Sequence, residues 1–268
     1  MEKEKTLIKA DFNYRNPLKE GEKKPAFGLS APDPKMPDHK SFLKVVEDAR
    51  NGIHSFQEEG FKLLNHESKV VDFYDDELVS QVYYQEIHDL VKRETKADLI
   101  QILPHITRNE AEAASGKRLG AHRLVHNDFT PQFDEIIKEF LTNLDINPKR
   151  TETYNLWRRF DKDGLDAPFA VCDARSVTKE ELIPTDLHNY GDGEGFAVEI
   201  YQSSYSKKHK WHFFSKMNKN EVLMFKTYDS SRNPFLPTLH SAFDDPRVLG
   251  KEVAPRESIE VRAICFYL

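Results

Sequence analysis

The chain has 268 residues and a formal net charge of −6, with 38% hydrophobic and 31% charged residues. This composition is typical of a globular protein without a broad basic surface, so neither nucleic acid nor an anionic membrane is expected as the main partner. No apolar run approaches the roughly 18 residues of a membrane span, and Cys172 and Cys265 lack metal-ligand spacing, so the sequence predicts a cytoplasmic protein with free thiols.

The first half of the chain predicts an arm followed by mixed helices and strands. Residues 1–40 are rich in Lys, Glu and Pro and predict an extended arm, and residues 41–268 then predict a single domain. Residues 42–50 favour a short helix, residues 61–64 a strand, and residues 99–108 a buried strand. An amphipathic helix is predicted over residues 75–96, because apolar residues recur at helical spacing between an acidic start and a basic end.

The second half changes to short strands after one more helix. Thr130 and Pro131 are typical of a helix start, and an apolar stripe follows over residues 133–144. Seven strands are then predicted, at residues 152–160, 168–173, 195–203, 210–214, 221–228, 236–243 and 258–268. Two helices against many antiparallel strands favour a mainly β (α+β) fold, a β-sandwich or jelly roll with helices packed on one face.

A candidate metal site lies just before the second helix. His126 and Asp128 follow two apolar residues, and side chains at i and i+2 of an extended strand point to the same face. One imidazole and one carboxylate are two thirds of the 2-His-1-carboxylate triad, which holds non-haem Fe(II) and leaves positions open for oxygen and substrate. A surface salt-bridge pair at a strand end is the alternative interpretation of the same pattern.

The triad needs a second histidine from a distant strand, and four histidines follow Asp128. His188 precedes a Gly-rich turn and His209 lies between lysines, so both are expected at the surface. His240 follows a strand and precedes an apolar segment, which makes it the preferred ligand. His212 alternates with two aromatic residues and is the second choice. A core histidine satisfied by one hydrogen bond is the alternative for His240.

A second constellation near the C-terminus suits the distal carboxylate of 2-oxoglutarate, the cosubstrate of iron oxygenases of this kind. Such a carboxylate binds to a guanidinium and a hydroxyl, and Arg256 and Ser258 supply both at i and i+2. Arg262 is a second candidate, because strand parity places it on the same face. An outward-facing ladder of ion pairs is the structural alternative.

Eight sequence blocks resemble the hydroxylase/desaturase family that includes fungal gibberellin desaturase-like and AsaB-type enzymes and is related to the cephalosporin 7α-methoxylase accessory protein. They occur in order at residues 71–76, 125–128, 155–158, 168–173, 209–211, 221–229, 240–243 and 256–262. The resemblance implies a double-stranded β-helix (a cupin-like jelly roll) and an Fe(II)/2-oxoglutarate-dependent dioxygenase that uses O2. It further implies iron ligands His126, Asp128 and His240. Arg256 with Ser258, or Arg262, would then bind 2-oxoglutarate.

The resemblance also implies a reaction on a small-molecule secondary metabolite, by hydroxylation or desaturation, with cyclisation and peroxidation also open. The candidate substrate contacts are Asn155 and Arg158 on one strand and Lys226 and Tyr228 on another, with core packing or a half-exposed strand as alternatives. The rival functions are a non-catalytic accessory subunit and a cupin-like metalloenzyme that does not use 2-oxoglutarate. The oligomeric state stays open, with a homodimer as one option.

Overall fold

Two β-sheets pack face to face in the computed structural model, which describes residues 6–28, 38–162, 164–188 and 197–268. The larger sheet contains β1 (Leu7–Arg15), β2 (Ala26–Gly28), β3 (His39–Asp48), β7 (His126–Asn127), β9 (Phe169–Cys172), β10 (Leu182–His188), β11 (Ala197–Ser203), β12 (Trp211–Phe213) and β14 (His240–Ala242). The smaller sheet contains β4 (Phe61–Asn65), β5 (Leu99–Ile102), β6 (Ile106–Asn109), β8 (Arg150–Arg159), β13 (Glu221–Asp229) and β15 (Glu257–Tyr267).

The strand order is that of a jelly roll. The larger sheet has the order β1-β3-β12-β9-β14-β7-β11-β10-β2, and the smaller sheet has the order β4-β13-β8-β15-β5, with β6 also paired to β15. Neighbouring strands run antiparallel except for the pairs β3–β12 and β2–β10, which are parallel. The mainly β, jelly-roll class predicted from the sequence is therefore confirmed.

A helical segment covers the outer face of the smaller sheet. It consists of α1 (Asp76–Leu78), a π-helical turn (Val79–Tyr83) and α2 (Tyr84–Thr95), and the Asp75 carboxylate caps its start by accepting a hydrogen bond from the Leu78 amide. The apolar side of α2 packs on alternate residues of β8, β13 and β15. The helix predicted over residues 75–96 is confirmed. Two further helices are α3 (Glu110–Ala113) and α4 (Phe133–Asn143).

Strand β13 shows how the two layers are built. Leu223 and Phe225 pack with Val171 of the larger sheet, whereas Val222 and Met224 belong to the cluster under helix α2. Both faces of the strand are therefore covered, which is why its sequence is a continuous apolar run rather than an alternating one. The core between the sheets leaves one part open as a cavity, and this cavity contains the candidate site.

The helix predicted for residues 42–50 is wrong. These residues belong mostly to β3, where Val46 is buried while Leu43 and Val45 are exposed. The apolar side chains thus alternate across a strand that pairs with β1, a partner that local spacing does not reveal. Only Ala49–Asn51 is helical, as a short 3-10 turn.

Two other local predictions need correction. Residues 99–108 form two strands, β5 and β6, because Pro104 between them has no N–H to donate, and Leu99 is exposed. His188 ends strand β10 instead of lying in a loop, and the Gly-rich turn after it falls outside the described residues.

The N-terminal part joins the larger sheet. Strand β1 pairs with β3, and β2 pairs with β10, while Pro32, Pro34 and Pro37 of the predicted arm fall outside the described residues. The boundary between an arm of residues 1–40 and a domain of residues 41–268 stays a prediction. Within the described part of the chain, the helices are too short or too polar to cross a bilayer.

Candidate active site

His126, Asp128 and His240 converge at the inner face of the larger sheet. His126 lies in β7, and His240 of β14 is its direct partner across the antiparallel pair. One possible ligand atom from each of the three residues lies within 4.8 Å of the others. The Nε2 atoms of His126 and His240 are 3.5 and 3.7 Å from Oδ1 of Asp128. The fold therefore brings together the three residues that the sequence predicts.

Both imidazoles present a bare nitrogen to this centre. Nδ1 of His126 lies 2.7 Å from the Leu124 carbonyl oxygen, and Nδ1 of His240 lies 3.2 Å from that of Thr238. A carbonyl oxygen only accepts hydrogen bonds, so each Nδ1 carries the proton and each Nε2 keeps its lone pair. Nε2 of His240 is buried and has no hydrogen-bond partner. Such an orphaned lone pair is suited to a metal ion.

The surroundings of His126 and Asp128 favour the forms of these side chains that bind a metal. Burial lowers the pKa of His126, and the neighbouring imidazole of His240 lowers it further. Burial alone would raise the pKa of Asp128, but the Arg262 guanidinium, and to a lesser degree the two imidazoles, hold that pKa well below its usual range. Neutral imidazoles and an ionised carboxylate are the forms that bind a divalent metal.

Arg262 and Asn155 contact the other oxygen of the same carboxylate. Nε of Arg262 donates a hydrogen bond of 2.7 Å to Oδ2 of Asp128, and Nδ2 of Asn155 donates one of 2.6 Å to the same atom. Nη2 of Arg262 donates to Oε1 of Glu260 at 2.8 Å. Thus the structure places one predicted 2-oxoglutarate residue and one predicted substrate residue against a metal-ligand candidate.

Arg256 is a buried cation held by neutral groups. Its Nε donates to the Ser258 hydroxyl at 3.1 Å, and its Nη1 donates to the Ala167 carbonyl oxygen at 3.0 Å. The guanidinium carbon lies 4.9 Å from the ring centre of Trp157 and 5.9 Å from that of Phe169. No carboxylate of the described ranges forms an ion pair with it, so the predicted pair of Arg256 and Ser258 forms one unit with a free positive charge.

The electrostatic environment of Arg256 favours an anion. Burial, together with the positive charges of Arg108 and Arg159, lowers the pKa of Arg256 to about 9. The negative charge that partly offsets this lowering, on Glu110, is paired with Arg123 at 2.9 Å. Because a bound anion would replace the lost hydration of this guanidinium, the site is suited to a carboxylate.

One cavity of about 390 Å³ connects the triad with Arg256. Ser258 does not line it, but the polar residues that do are Gln101, Arg108, His122, His126, Asp128, His240, Arg256, Glu260 and Arg262. The rest of the lining is apolar and comes largely from α4 and the facing strands: Leu103, Ile106, Phe129, Phe133, Ile136, Ile137, Phe140, Phe169, Leu187, Val198, Ile200 and Ile264. Cavities of this size and composition commonly bind small molecules.

Arg158 lies on the far side of β8 from the cavity. Its Nε donates to the Tyr83 hydroxyl at 3.0 Å, and its guanidinium packs over the Phe73 ring under the helical segment. Strand alternation explains this position, because Asn155 and Trp157 face inward and Arg158 therefore faces outward.

Lys226 and Tyr228 also contribute no surface to the cavity. Lys226 forms buried ion pairs with Glu152 and Asp229. The Tyr228 ring packs against Phe133 at a centroid distance of 5.5 Å. A role of either side chain in substrate binding stays a prediction.

The other candidate histidines lie elsewhere. His212 packs between His54 and Phe61 and does not line the cavity. His209, predicted at the surface, is buried, with Nδ1 3.0 Å from the Tyr14 hydroxyl and Nε2 2.9 Å from Glu181. Its exposure was mispredicted because the adjacent lysines point away while the ring enters the core.

Four polar residues of the cavity lining were not predicted as site residues: Gln101, Arg108, His122 and Glu260. The His122 ring lies edge-on to His126 at a centroid distance of 4.5 Å. Its even spacing from His126 and Asp128 was a signal that could have identified it. Arg108 is the cross-strand partner of Ser258, a pairing that a single sequence does not reveal.

Comparisons with known proteins place this geometry in a family. A family model described as "Oxidoreductase/YMDC permease-like domain" matches residues 12–266. The hydroxylase/desaturase efuI of Hormonema carpetanum is 30% identical over 83% of this chain and 83% of its own length. The Fe(II)/2-oxoglutarate-dependent dioxygenase nvfI of Aspergillus novofumigatus is 32% identical over 69% of this chain and 66% of its own length.

A solved structure agrees with these matches. The iron and α-ketoglutarate-dependent endoperoxidase NvfI superposes with a TM-score of 0.81 and 25% identity, covering 98% of this chain and 99% of its own. The likeness thus extends over the whole jelly roll, including both sheets that carry the triad and Arg256. The chain belongs to this oxidoreductase family, whose fungal relatives are hydroxylase/desaturases and Fe(II)/2-oxoglutarate-dependent dioxygenases.

Proposed function

We propose that this protein is an Fe(II)- and 2-oxoglutarate-dependent oxygenase that hydroxylates or desaturates a small-molecule secondary metabolite. One observation carries the proposal: a His-Asp-His triad with a bare, buried Nε2 shares a single cavity with the unpaired Arg256 guanidinium. The first group suits a divalent metal and the second suits the distal carboxylate of a keto acid.

His126, Asp128 and His240 would hold the metal through two imidazole nitrogens and one carboxylate oxygen. This donor set is that of the 2-His-1-carboxylate sites of non-haem Fe(II) oxygenases. Fe(II) bound with 2-oxoglutarate and O2 supplies an oxidant for unactivated C–H bonds. The hydrogen bonds from Nδ1 of both histidines to backbone carbonyl groups fix the ring orientations that this chemistry needs.

Arg256 would bind the distal carboxylate of 2-oxoglutarate. Ser258 and Ala167 hold its Nε and Nη1 and so fix the plane of the guanidinium. Nη2 makes no hydrogen bond with another side chain or carbonyl group of the described part of the protein. A fixed, dry guanidinium donates short, charge-assisted hydrogen bonds to a carboxylate.

The apolar part of the cavity would hold the substrate. Phe133, Ile137 and Phe140 of α4 form one wall there. Such a wall offers shape and van der Waals contacts but few hydrogen bonds, so it favours a largely apolar skeleton. It also excludes water from the side of the cavity that faces the triad, which limits unproductive oxidation.

Anaerobic addition of Fe(II) and then 2-oxoglutarate to the metal-free protein tests the proposal. We expect a weak visible metal-to-ligand charge-transfer band that requires both additions. Arg256→Ala should weaken 2-oxoglutarate binding about 10- to 100-fold, because hydrogen bonds to a charged group contribute roughly 1.5–3 kcal/mol, and should leave Fe(II) binding intact. Arg247→Ala, which removes an exposed guanidinium that pairs with Asp245 away from the cavity, is the matched control.

The outcomes distinguish the rival functions. Iron binding without the band would favour a cupin-like metalloenzyme that does not use 2-oxoglutarate. A folded protein that binds no iron would favour a non-catalytic accessory subunit.

A further inference from the structure

Two side chains from the smaller sheet donate to a single oxygen of Asp128. Arg262 of β15 and Asn155 of β8 are direct cross-strand partners. Their hydrogen bonds to Oδ2, of 2.7 and 2.6 Å, cross the space between the two sheets. Both donors are buried, with 5% and 0% of their surface exposed. Oδ2 is therefore held in a defined position by two hydrogen bonds, one from a guanidinium and one from a side-chain amide.

The two oxygens of the carboxylate thereby have different surroundings. Oδ1 faces the Nε2 atoms of His126 and His240 at 3.5 and 3.7 Å, while Oδ2 faces the two donors. A carboxylate oxygen has two lone pairs in its plane, and two donors occupy them. The geometry leaves Oδ1 as the oxygen available to a metal, so Asp128 would supply one ligand atom instead of two.

The two donors are themselves held in place. Oε1 of Glu260 accepts from Nη2 of Arg262 at 2.8 Å, and the Thr227 hydroxyl donates to Oδ1 of Asn155 at 3.2 Å. Because Thr227 occupies the amide oxygen, the NH2 group of Asn155 must point towards Asp128. The orientation of each donor thus follows from a neighbour on β13 or β15.

Glu260 also restores the local charge. Asp128 and Glu260 carry two negative charges and Arg262 one positive charge, so these three side chains keep a net charge of −1. A guanidinium without Glu260 would neutralise Asp128 and weaken its attraction for a cation. This arrangement fixes the Asp128 carboxylate and still leaves a net negative charge that attracts a cation.

We propose that Arg262 and Asn155 are positioning residues that restrict Asp128 to one-oxygen metal ligation, with Glu260 offsetting the guanidinium charge. The inference rests on the proposed metal site and assigns Arg262 a role other than binding 2-oxoglutarate. One-oxygen ligation by Asp128 would leave more of the metal's coordination sphere available to a keto acid and O2.

Metal binding without turnover tests the proposal. The affinity of the protein for Mn(II) is measured from the electron paramagnetic resonance signal of free Mn(II), and the affinity for 2-oxoglutarate is then measured at saturating Mn(II). Arg262→Gln and Asn155→Ala should each weaken Mn(II) binding about 10- to 100-fold, the usual effect of removing a partner of a metal ligand. Arg256→Gln should instead weaken 2-oxoglutarate binding and leave the Mn(II) affinity unchanged.

Two further readouts separate positioning from general destabilisation. Arg262→Lys keeps the positive charge but loses the planar guanidinium that donates to both Asp128 and Glu260, so it should recover only part of the Mn(II) affinity. The visible spectrum of the Co(II)-loaded protein reports coordination number and should change in Arg262→Gln, because released Oδ2 can join the metal. Arg247→Gln is the control for loss of an arginine and should match the wild type.

Three results would overturn the inference. If Arg262→Gln and Asn155→Ala match the wild type in Mn(II) affinity and Co(II) spectrum, the positioning role of Arg262 and Asn155 is wrong while the oxygenase proposal stands. If Arg262→Gln keeps metal affinity and loses 2-oxoglutarate, Arg262 anchors the cosubstrate. If the wild type binds no Mn(II), the metal site itself is wrong. Should Arg262→Gln fail to fold, Asn155→Ala and Thr227→Val decide by the same measurements.

Discussion

Two groups of buried polar side chains, one on strands β8 and β13 and one around the cavity, differ in how their charges are matched. The ion-pair cluster consists of Arg150, Glu152, Lys226 and Asp229. Both cations of this cluster contact both carboxylates. In the cavity, by contrast, Nε2 of His240 lacks a partner and the Arg256 guanidinium lacks a carboxylate among the described residues.

This difference distinguishes buried charges that stabilise the fold from buried polar groups that are available to a ligand. A matched set of buried charges satisfies itself, and removing one member leaves the others uncompensated. Unmatched groups that face a cavity are satisfied by a ligand, which is why they mark functional sites. Strand alternation makes both possible on one strand, since Asn155 of β8 faces the cavity and Glu152 faces away from it.

The largest effect is expected from removing a triad member. His126→Ala should abolish iron-dependent turnover and weaken metal binding by more than the roughly 100-fold that a supporting residue costs. The thermal midpoint of unfolding of the metal-free protein should change little, because the imidazole makes one hydrogen bond, to the Leu124 carbonyl oxygen. Turnover that persists in this variant, with metal-depleted controls inactive, would show that the triad is misassigned.

The next-largest effect is expected in the ion-pair cluster, where a substitution should lower the stability of the fold and leave metal binding unchanged. Asp229→Asn leaves Lys226 and Arg150 with one carboxylate between them, and breaking a buried pair costs about 3–5 kcal/mol of unfolding free energy. Urea unfolding measures this loss, while the Mn(II) affinity should match that of the wild type. Unchanged stability would mean that the cluster is not a closed unit.

The pKa of Asp229 predicts how the stability of the wild type and of Asp229→Asn depends on pH. Burial raises the pKa of Asp229, but Arg150, Ser231 and Lys226 together hold it well below the usual value. Because the folded pKa lies below the unfolded value of about 3.9, the carboxylate stabilises the fold above that pH, and its contribution is lost as the pH falls through the folded pKa. The stability of the wild type should therefore fall more steeply in acid than that of Asp229→Asn.

The smallest effect is expected at the edge of the ion-pair cluster. Ser231 is exposed, and its hydroxyl donates to Oδ1 of Asp229 at 2.7 Å. Ser231→Ala should cost about 1 kcal/mol or less, because the carboxylate keeps its other partners and water can replace the hydroxyl. A loss as large as that of Asp229→Asn, measured by the same urea titration, would show that the cluster depends on every member.

Local patterns predicted those elements whose own sequence shows a helical stripe of apolar residues or a strand-like apolar run. The helix over residues 75–96 follows from its periodicity, and strands β13 and β15 follow from runs of apolar and β-branched residues between turns. Strand β3 was missed because Phe42 and Val46 have helical spacing, and the strand is defined by pairing with β1, which starts about thirty residues earlier. Tertiary contacts override local propensity at such positions.

In the candidate site, too, local patterns do not reveal which distant side chains come into contact. Parity correctly put His126 with Asp128, and Arg256 with Arg262, on common faces. It does not show that Arg262 meets a carboxylate 134 residues away. For Arg158 the information was available, since its odd offset from Asn155 excludes a common face on a regular strand.

His126 and His240 are cross-strand partners at the place where β7 and β14 share only one residue pair. A metal bound by both imidazoles would join these two short strands more firmly than their backbone pairing does. Metal loading and local order of this part of the sheet are then thermodynamically linked, each favouring the other. The proposed metal site would in this sense also connect β7 to β14, and loss of the ion would lower the local order of these two strands.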